Sequence, residues 1–230
     1  MYTKSLDGVF MGKKKKNVSQ EGTSRSRMRR NRVPVVYVDP MSGIEYHVDV
    51  GHLISYASRL EGLFVKRDVR KIKHLYHELV NDLIIEFDPF KYKLAVVAYM
   101  LAKFLSKPRM WSRKGIAGYV RKIGRAISDF VFFAKKGNLN RMMGSLDKIT
   151  HEINNLDAYD QRYVSSLLEN TYIKIGATMY AKGISLHTAS QKTGIPPHKI
   201  LEYIGKTTMA DRLKSRISPR ERLSWVENLL

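Results

Sequence analysis

The stretch RDVRKIKHLYHELVNDLIIEFDPFKYKLAVVAYMLAKFL, residues 67–105, sets the fold class. In its first half Val69, Ile72, Leu75, Tyr76, Leu79, Val80, Leu83 and Ile84 recur at three- and four-residue intervals. That spacing is the apolar stripe of an amphipathic helix and predicts one over about 67–87. Asp88-Pro89 stops it, because proline cannot continue a helix from within. A second helix is predicted over about 90–105, apolar on most sides and therefore central, and Lys107-Pro108 ends it.

Further along the chain the same period continues. A third helix is predicted over about 112–134, with Ile116, Val120, Ile123, Ile127 and Val131 inward. Gly137-Asn138 breaks the chain, and a fourth helix is predicted over about 139–154. Asp157 suits the N-cap of a fifth that runs to about Lys182. A last amphipathic helix is predicted over about 219–227.

Toward the N-terminus the pattern changes at about residue 51. Ile44, Tyr46, Val48 and Val50 alternate with Glu45, His47 and Asp49, the period of a strand. With the loop Asp39–Gly43, residues 33–50 read as a β-hairpin. An isolated hairpin is marginal in water, so it must pack on the helices. The expected fold is mainly α. It is a multi-helix bundle with a small N-terminal β-hairpin and a C-terminal helix-turn-helix. The segments are a basic arm (1–33), the hairpin (34–50), a helical body (51–182) and the helix-turn-helix with the final helix (183–230).

The chain of 230 residues holds 41 Lys and Arg against 21 Asp and Glu, a formal net charge of +20. Such a surface attracts polyanions. The arm carries ten basic residues, among them Lys13, Lys14, Lys15 and Lys16, against Asp7 and Glu21. It lacks a periodic apolar pattern and is expected to be disordered when free, lying on phosphates when bound. There is no cysteine, which excludes disulfides, thiol catalysis and cysteine zinc sites. The basic run is not followed by an apolar segment, so no signal peptide is expected, and no apolar run nears the ~18 residues of a membrane span.

The segment GISLHTASQKTGIPPHKILEYIGK, residues 183–206, holds two short helical patterns about a glycine. Ser185 can cap a helix over 186–193, Gly194 supplies the turn, and Pro196-Pro197 suits the start of a second helix over about 197–204, ended by Gly205. A helix-turn-helix places a small residue at the crossing, a glycine four positions on and an apolar residue next, which Ser190, Gly194 and Ile195 provide. Ile200 and Tyr203 then fall on its buried side, and Ala189 is a second small residue.

With residues 181–182 included, AKGISLHTASQKTGIPPHKILEYIGK resembles the helix-turn-helix of small prokaryotic DNA-binding proteins, especially archaeal regulators and antitoxin-like proteins. It departs from them in Ser190 at the crossing and in two prolines ahead of the second helix. The resemblance implies that the second helix enters the major groove. Pro197, His198, Lys199 and Glu202 would then face the bases, while Ser185, His187, Thr188, Lys192 and Lys206 would touch phosphates or sugars.

The run KPRMWSRKGIAGYVRKIGR, residues 107–125, has seven basic residues and no acid. Arg113, Lys114, Arg121, Lys122 and Arg125 are candidate nucleic-acid contacts, with Trp111 and Tyr119 interleaved for stacking. His74 and Glu78 share a helix face at metal-ligand spacing, but no third ligand is apparent. Glu78, Asp82 and Glu86 form an acidic stripe that reads as a solvated face or a docking surface.

No phosphate-binding glycine loop and no nucleophile elbow occurs, so neither enzymatic activity nor a cofactor or metal is expected. The expected function is sequence-preferring binding of double-stranded DNA by a cytoplasmic, nucleoid-associated transcription regulator or chromatin factor. A homodimer is expected, since one short helix reads few base pairs. The alternatives are an RNA-binding or ribosome-associated factor, and an antitoxin-like protein-interaction module. No membrane partner is expected.

Overall fold

A computed structural model describes residues 35–39, 43–111, 114–158 and 167–207, and of 109, 110, 157 and 158 the backbone alone. The basic arm, with Lys13 to Lys16, and the helix expected over 219–227 lie outside the described residues.

The hairpin forms as its alternation requires. Strands β1 (Val35–Val38) and β2 (Glu45–Val48) are antiparallel, with Val35 opposite Val48 and Tyr37 opposite Tyr46. The inward side carries Val48, fully buried, and the two tyrosines. Tyr37 meets Phe90 edge-on at 4.9 Å, and Tyr46 lies 6.2 Å from Phe87. The hairpin thus reaches the corner between two helices, which gives it the packing that an isolated pair lacks.

Nine helices follow among the described residues. The change of period near residue 51 marks the start of the helical body but not the limits of its first helix. That helix is α1 (Val50–Val65), capped by Asp49 and buried along Leu53, Ala57, Leu60 and Phe64. It ends at Arg67, which takes a left-handed φ of 52°, while the Asp68 N–H donates back to the Leu63 carbonyl. Helices that end in this way usually place glycine at the left-handed position.

α2 (Val69–Ile85) buries the predicted stripe. Asp88 caps α3 (Pro89–Leu105), its carboxylate accepting from the Phe90 and Lys91 N–H groups. Twelve of the seventeen residues of α3 are buried, as a central helix requires.

Three boundaries differ from expectation. The helix expected over 112–134 is α5 (Ile116–Lys135), which starts four residues later, and a short helix that was not expected, α4 (Pro108–Trp111), precedes it. Gly115 adopts a φ of 85°, so the chain leaves helical geometry there. α6 (Leu139–Ala158) runs through Asp157, which therefore belongs to the end of one helix and not to the cap of the next. α7 spans Leu167–Ala181, a later start than the cap at Asp157 implied.

α5 packs along α6, α2 along α3, and α1 against α5, while α3 also meets α6 and α7. One continuous apolar core runs from Val48 of the hairpin to Ile200 near the end of the described chain. Among the described residues no helix is long and apolar enough to cross a membrane.

Candidate nucleic-acid interface

α8 (Leu186–Thr193) begins where Ser185 accepts the Thr188 N–H at 3.1 Å. It ends at Gly194, whose φ of 70° reverses the chain while its N–H donates to the Ser190 carbonyl at 2.8 Å. α9 (Pro197–Thr207) follows and runs through Gly205, which was expected to end it. One glycine weakens a helix by only about 1 kcal/mol, and the Thr207 hydroxyl reaches back to the Tyr203 carbonyl at 2.7 Å.

The small residues have separate tasks. Ala189 is fully buried, whereas Ser190 is half-buried and donates its hydroxyl to the Ile195 carbonyl at 2.7 Å. Serine at the crossing therefore ties α8 to the chain beyond the turn. Ile195 and Ile200 are buried and Tyr203 is partly so. α7 closes the unit from below at Gly176. A Cβ there would lie 3.1 Å from the Ile200 side chain and 3.2 Å from the Thr193 hydroxyl. Only glycine admits this approach of three helices without displacement.

The unit is fixed to the body by polar contacts. Lys182 donates to the Asn81 side chain at 2.5 Å, and the Tyr92 hydroxyl to the Thr193 carbonyl at 3.4 Å. The Lys192 ammonium sits 4.8 Å from the Phe87 ring centre and 5.9 Å from that of Tyr46.

His198, Leu201, Glu202, Gly205 and Lys206 all lie on the exposed side of α9, and Pro197 is exposed at its start. The candidate readers are not equivalent. His198 is exposed. Lys199 reaches inward and forms a 2.6 Å ion pair with Glu169 of α7. Glu202 pairs with Lys206 one turn on, and that hydrogen bond holds its carboxyl below the usual range. Ser185 and Thr188 lie hydroxyl to hydroxyl at 2.8 Å, beside an exposed His187. Lys192, expected at a phosphate, is engaged with two aromatic rings.

The basic run is arranged differently. Lys114, Arg121, Lys122 and Arg125 are exposed, while Arg113 lies outside the described residues. Lys122 pairs with Glu152 at 3.4 Å and lies 5.4 Å from the Tyr119 ring. Trp111, expected as a stacking platform, is half-buried, with Phe104 at 5.5 Å and the Arg67 guanidinium 4.0 Å over its ring. Its faces are therefore already contacted.

Two members of the acidic stripe, Glu78 and Asp82, are tied to α1, while Glu86 is exposed. Arg59 donates to both Glu78 oxygens, at 2.7 and 3.1 Å, and His74 lies 2.7 Å from the same carboxylate. The Arg59 hydrogen bond is the main reason that Glu78 titrates below the usual carboxylate range. The Tyr56 hydroxyl donates to Asp82 at 2.7 Å. These contacts join α1 to α2. Among the described residues no three metal-ligating side chains gather. Desolvation of the His77 ring, aided by Lys174 and Lys182, pushes its pKa down.

Three residues that shape these surfaces escape a reading of the sequence. Gly176 carries a faint signal, as a glycine inside an apolar helical pattern. Glu169 and Arg67 carry none, because their partners lie 30 and 44 positions away in the chain. No family model, curated protein or solved structure matches this chain.

Proposed function

We propose that the protein binds double-stranded DNA with sequence preference, α9 lying in the major groove, and that it acts as a transcription regulator or chromatin-associated factor without catalysis. The observation that carries the reading is the mounting of α9. Ile200 is fully buried against Gly176 while the opposite side of the helix stays open.

The major groove, about 12 Å wide, admits one helix. His198, Leu201 and Glu202 would meet base edges there. Glu202 can accept from a cytosine amino group and Leu201 can contact a thymine methyl. The formal charge of +20 supports attraction to phosphates. Because Lys199 and Lys192 are engaged inside the protein, α9 would act by fit to the bases more than by charge. A second copy would supply the second half-site.

The test is selection from a random duplex library by the full chain, with parallel titration of a structured RNA across a salt series. A recovered sequence preference that shifts in His198→Ala and in Glu202→Ala supports the reading. Preference unchanged in both variants, or RNA bound more tightly than any duplex, overturns it.

A further inference from the structure

A cleft of about 400 Å³ opens between α1, α4 and α5. Phe64, Leu105 and Ile127, all buried, contribute apolar surface to its lining, and Trp111 stands beside them. Arg67, Arg121 and Arg125 also line it and are exposed. Glu61 is the one acid among the lining residues, and it accepts the hydroxyl of Ser128.

The three arginines differ from most cations described above. Among the described residues no carboxylate forms an ion pair with any of them. Arg121 is steadied through its Nε, which donates to the Ala117 carbonyl at 3.4 Å. Arg67 projects from a left-handed backbone position that disfavours any residue with a Cβ. Strain of this kind persists where the surroundings enforce it and clusters at ligand sites. Its guanidinium carbon lies 4.0 Å from the centre of the Trp111 ring, a distance at which arginine stacks on an aromatic face.

We propose that this cleft binds one nucleotide, its base stacked on the Arg67 guanidinium that covers Trp111, beside the apolar surface, and its phosphate held by Arg121 and Arg125. The chemistry selects this class. Guanidinium forks match phosphate oxygens, and bases stack on arginine planes as they do on aromatic rings. The volume falls in the range of small-molecule sites, about 300–1,000 Å³. Glu61 offers an acceptor for an exocyclic amino group. The nucleotide can be free or an unpaired residue of a strand, since both present a base and a phosphate. The site is separate from α9 and does not rest on its reading of duplex DNA.

Calorimetric titration of the full chain tests this with adenosine monophosphate, adenosine, inorganic phosphate and a short single-stranded oligodeoxyadenylate. Saturable binding of the monophosphate or the strand is expected, with adenosine and inorganic phosphate each about tenfold weaker or worse. Binding of the monophosphate alone assigns a free nucleotide, and binding of the strand alone assigns an unpaired residue.

Arg121→Gln and Arg125→Gln, both at exposed positions, should each weaken binding about tenfold. Lys148→Ala, an exposed cation on α6, should leave it unchanged. Gly124→Leu should fill the cleft, since a Cβ at Gly124 already lies 3.7 Å from the Phe64 ring. The proposal is overturned if no ligand saturates, if inorganic phosphate binds as well as the monophosphate, or if Lys148→Ala weakens binding as much as the arginine variants do.

Discussion

The α8–α9 unit and the cleft between α1, α4 and α5 are both basic in sequence, yet they use their charges in opposite ways. In the first, Lys199 pairs with Glu169, Lys206 with Glu202, and Lys192 lies on Phe87. Those cations already have partners within the protein, Lys199 on α7 and Lys206 one turn back on α9. In the second, Arg67 lies over Trp111, while Arg121 and Arg125 have no carboxylate partner among the described residues. A count of basic residues treats the two regions alike. What distinguishes them is whether each charge already has a partner. The engaged set has part of its charge satisfied within the protein, and the open set can meet an anion from outside.

The sharpest way to break the comparison is at Gly176. Valine there places its Cβ 3.1 Å from Ile200 and 3.2 Å from Thr193, and two further methyl groups enter the same space. Overpacking of this kind costs about 1–3 kcal/mol, so we expect a stability loss of about 2 kcal/mol by denaturant unfolding. Duplex preference should fall with it, because α9 loses its seat. Nucleotide binding in the cleft should survive under conditions where the variant remains folded. Parallel loss of both would mean that the two regions are coupled.

The contrast also marks what the sequence could and could not reveal. The helices were legible because their apolar stripes are local, as in Ile72, Leu75, Tyr76 and Leu79. The cap Ser185 and the turn at Gly194 were legible because caps and left-handed turns are read within a few residues. The start of α5 after Gly115 was not, since a glycine in a helical pattern can be either tolerated or used as a break. The partner of each cation was hidden for a different reason. Glu169 and Lys199, or Arg67 and Trp111, meet only through tertiary packing. The ties of Glu78 and Asp82 to Arg59 and Tyr56 were hidden because those partners belong to α1, whose limits the period did not set.

Asp88 offers the next largest effect. It caps α3 next to Phe87, on which Lys192 rests, and it is fully buried. Its Oδ1 accepts two backbone N–H groups, while among the described residues Oδ2 accepts no hydrogen bond. Burial, its largest influence, raises its pKa above the ordinary 3.8. The folded state therefore disfavours the charge. The stabilisation linked to the protonated form is complete below 3.8 and is lost as pH rises through the higher folded value. Asparagine keeps the cap without the charge. Asp88→Asn should be more stable than Asp88→Ala by about 1 kcal/mol. It should also gain on the native protein as pH rises from acid to neutral. An Asn variant that is no better than Ala at pH 7 would show that the cap does not matter.

Releasing an engaged cation should bring the first region toward the second. Glu169 and Lys199 are each about 40% exposed, at 39% and 41%. An ion pair that open is worth less than about 1 kcal/mol, so Glu169→Gln should leave the unfolding midpoint nearly unchanged. It frees Lys199 to reach a phosphate. The slope of log affinity against log salt for duplex DNA should steepen by about 0.9. An unchanged slope would mean that Lys199 stays on α7 even without its partner.

The smallest effect is the most diagnostic, because its two parts have opposite signs. Arg67 holds a φ of 52°, a position at which glycine is free of Cβ strain. Arg67→Gly relieves left-handed strain worth about 1–2 kcal/mol. It adds the entropy of a freer unfolded chain, which costs back about 0.5–1 kcal/mol. It also loses the stacked contact with Trp111, worth about 0.5–1 kcal/mol at an exposed site. The balance leaves stability within about 0.5 kcal/mol of the native protein. Nucleotide affinity, by contrast, should fall, since the plate over the indole is gone. A residue kept for the fold would show the reverse: a clear loss of stability with affinity unchanged. Stability held while binding drops would assign the Arg67 side chain to the ligand.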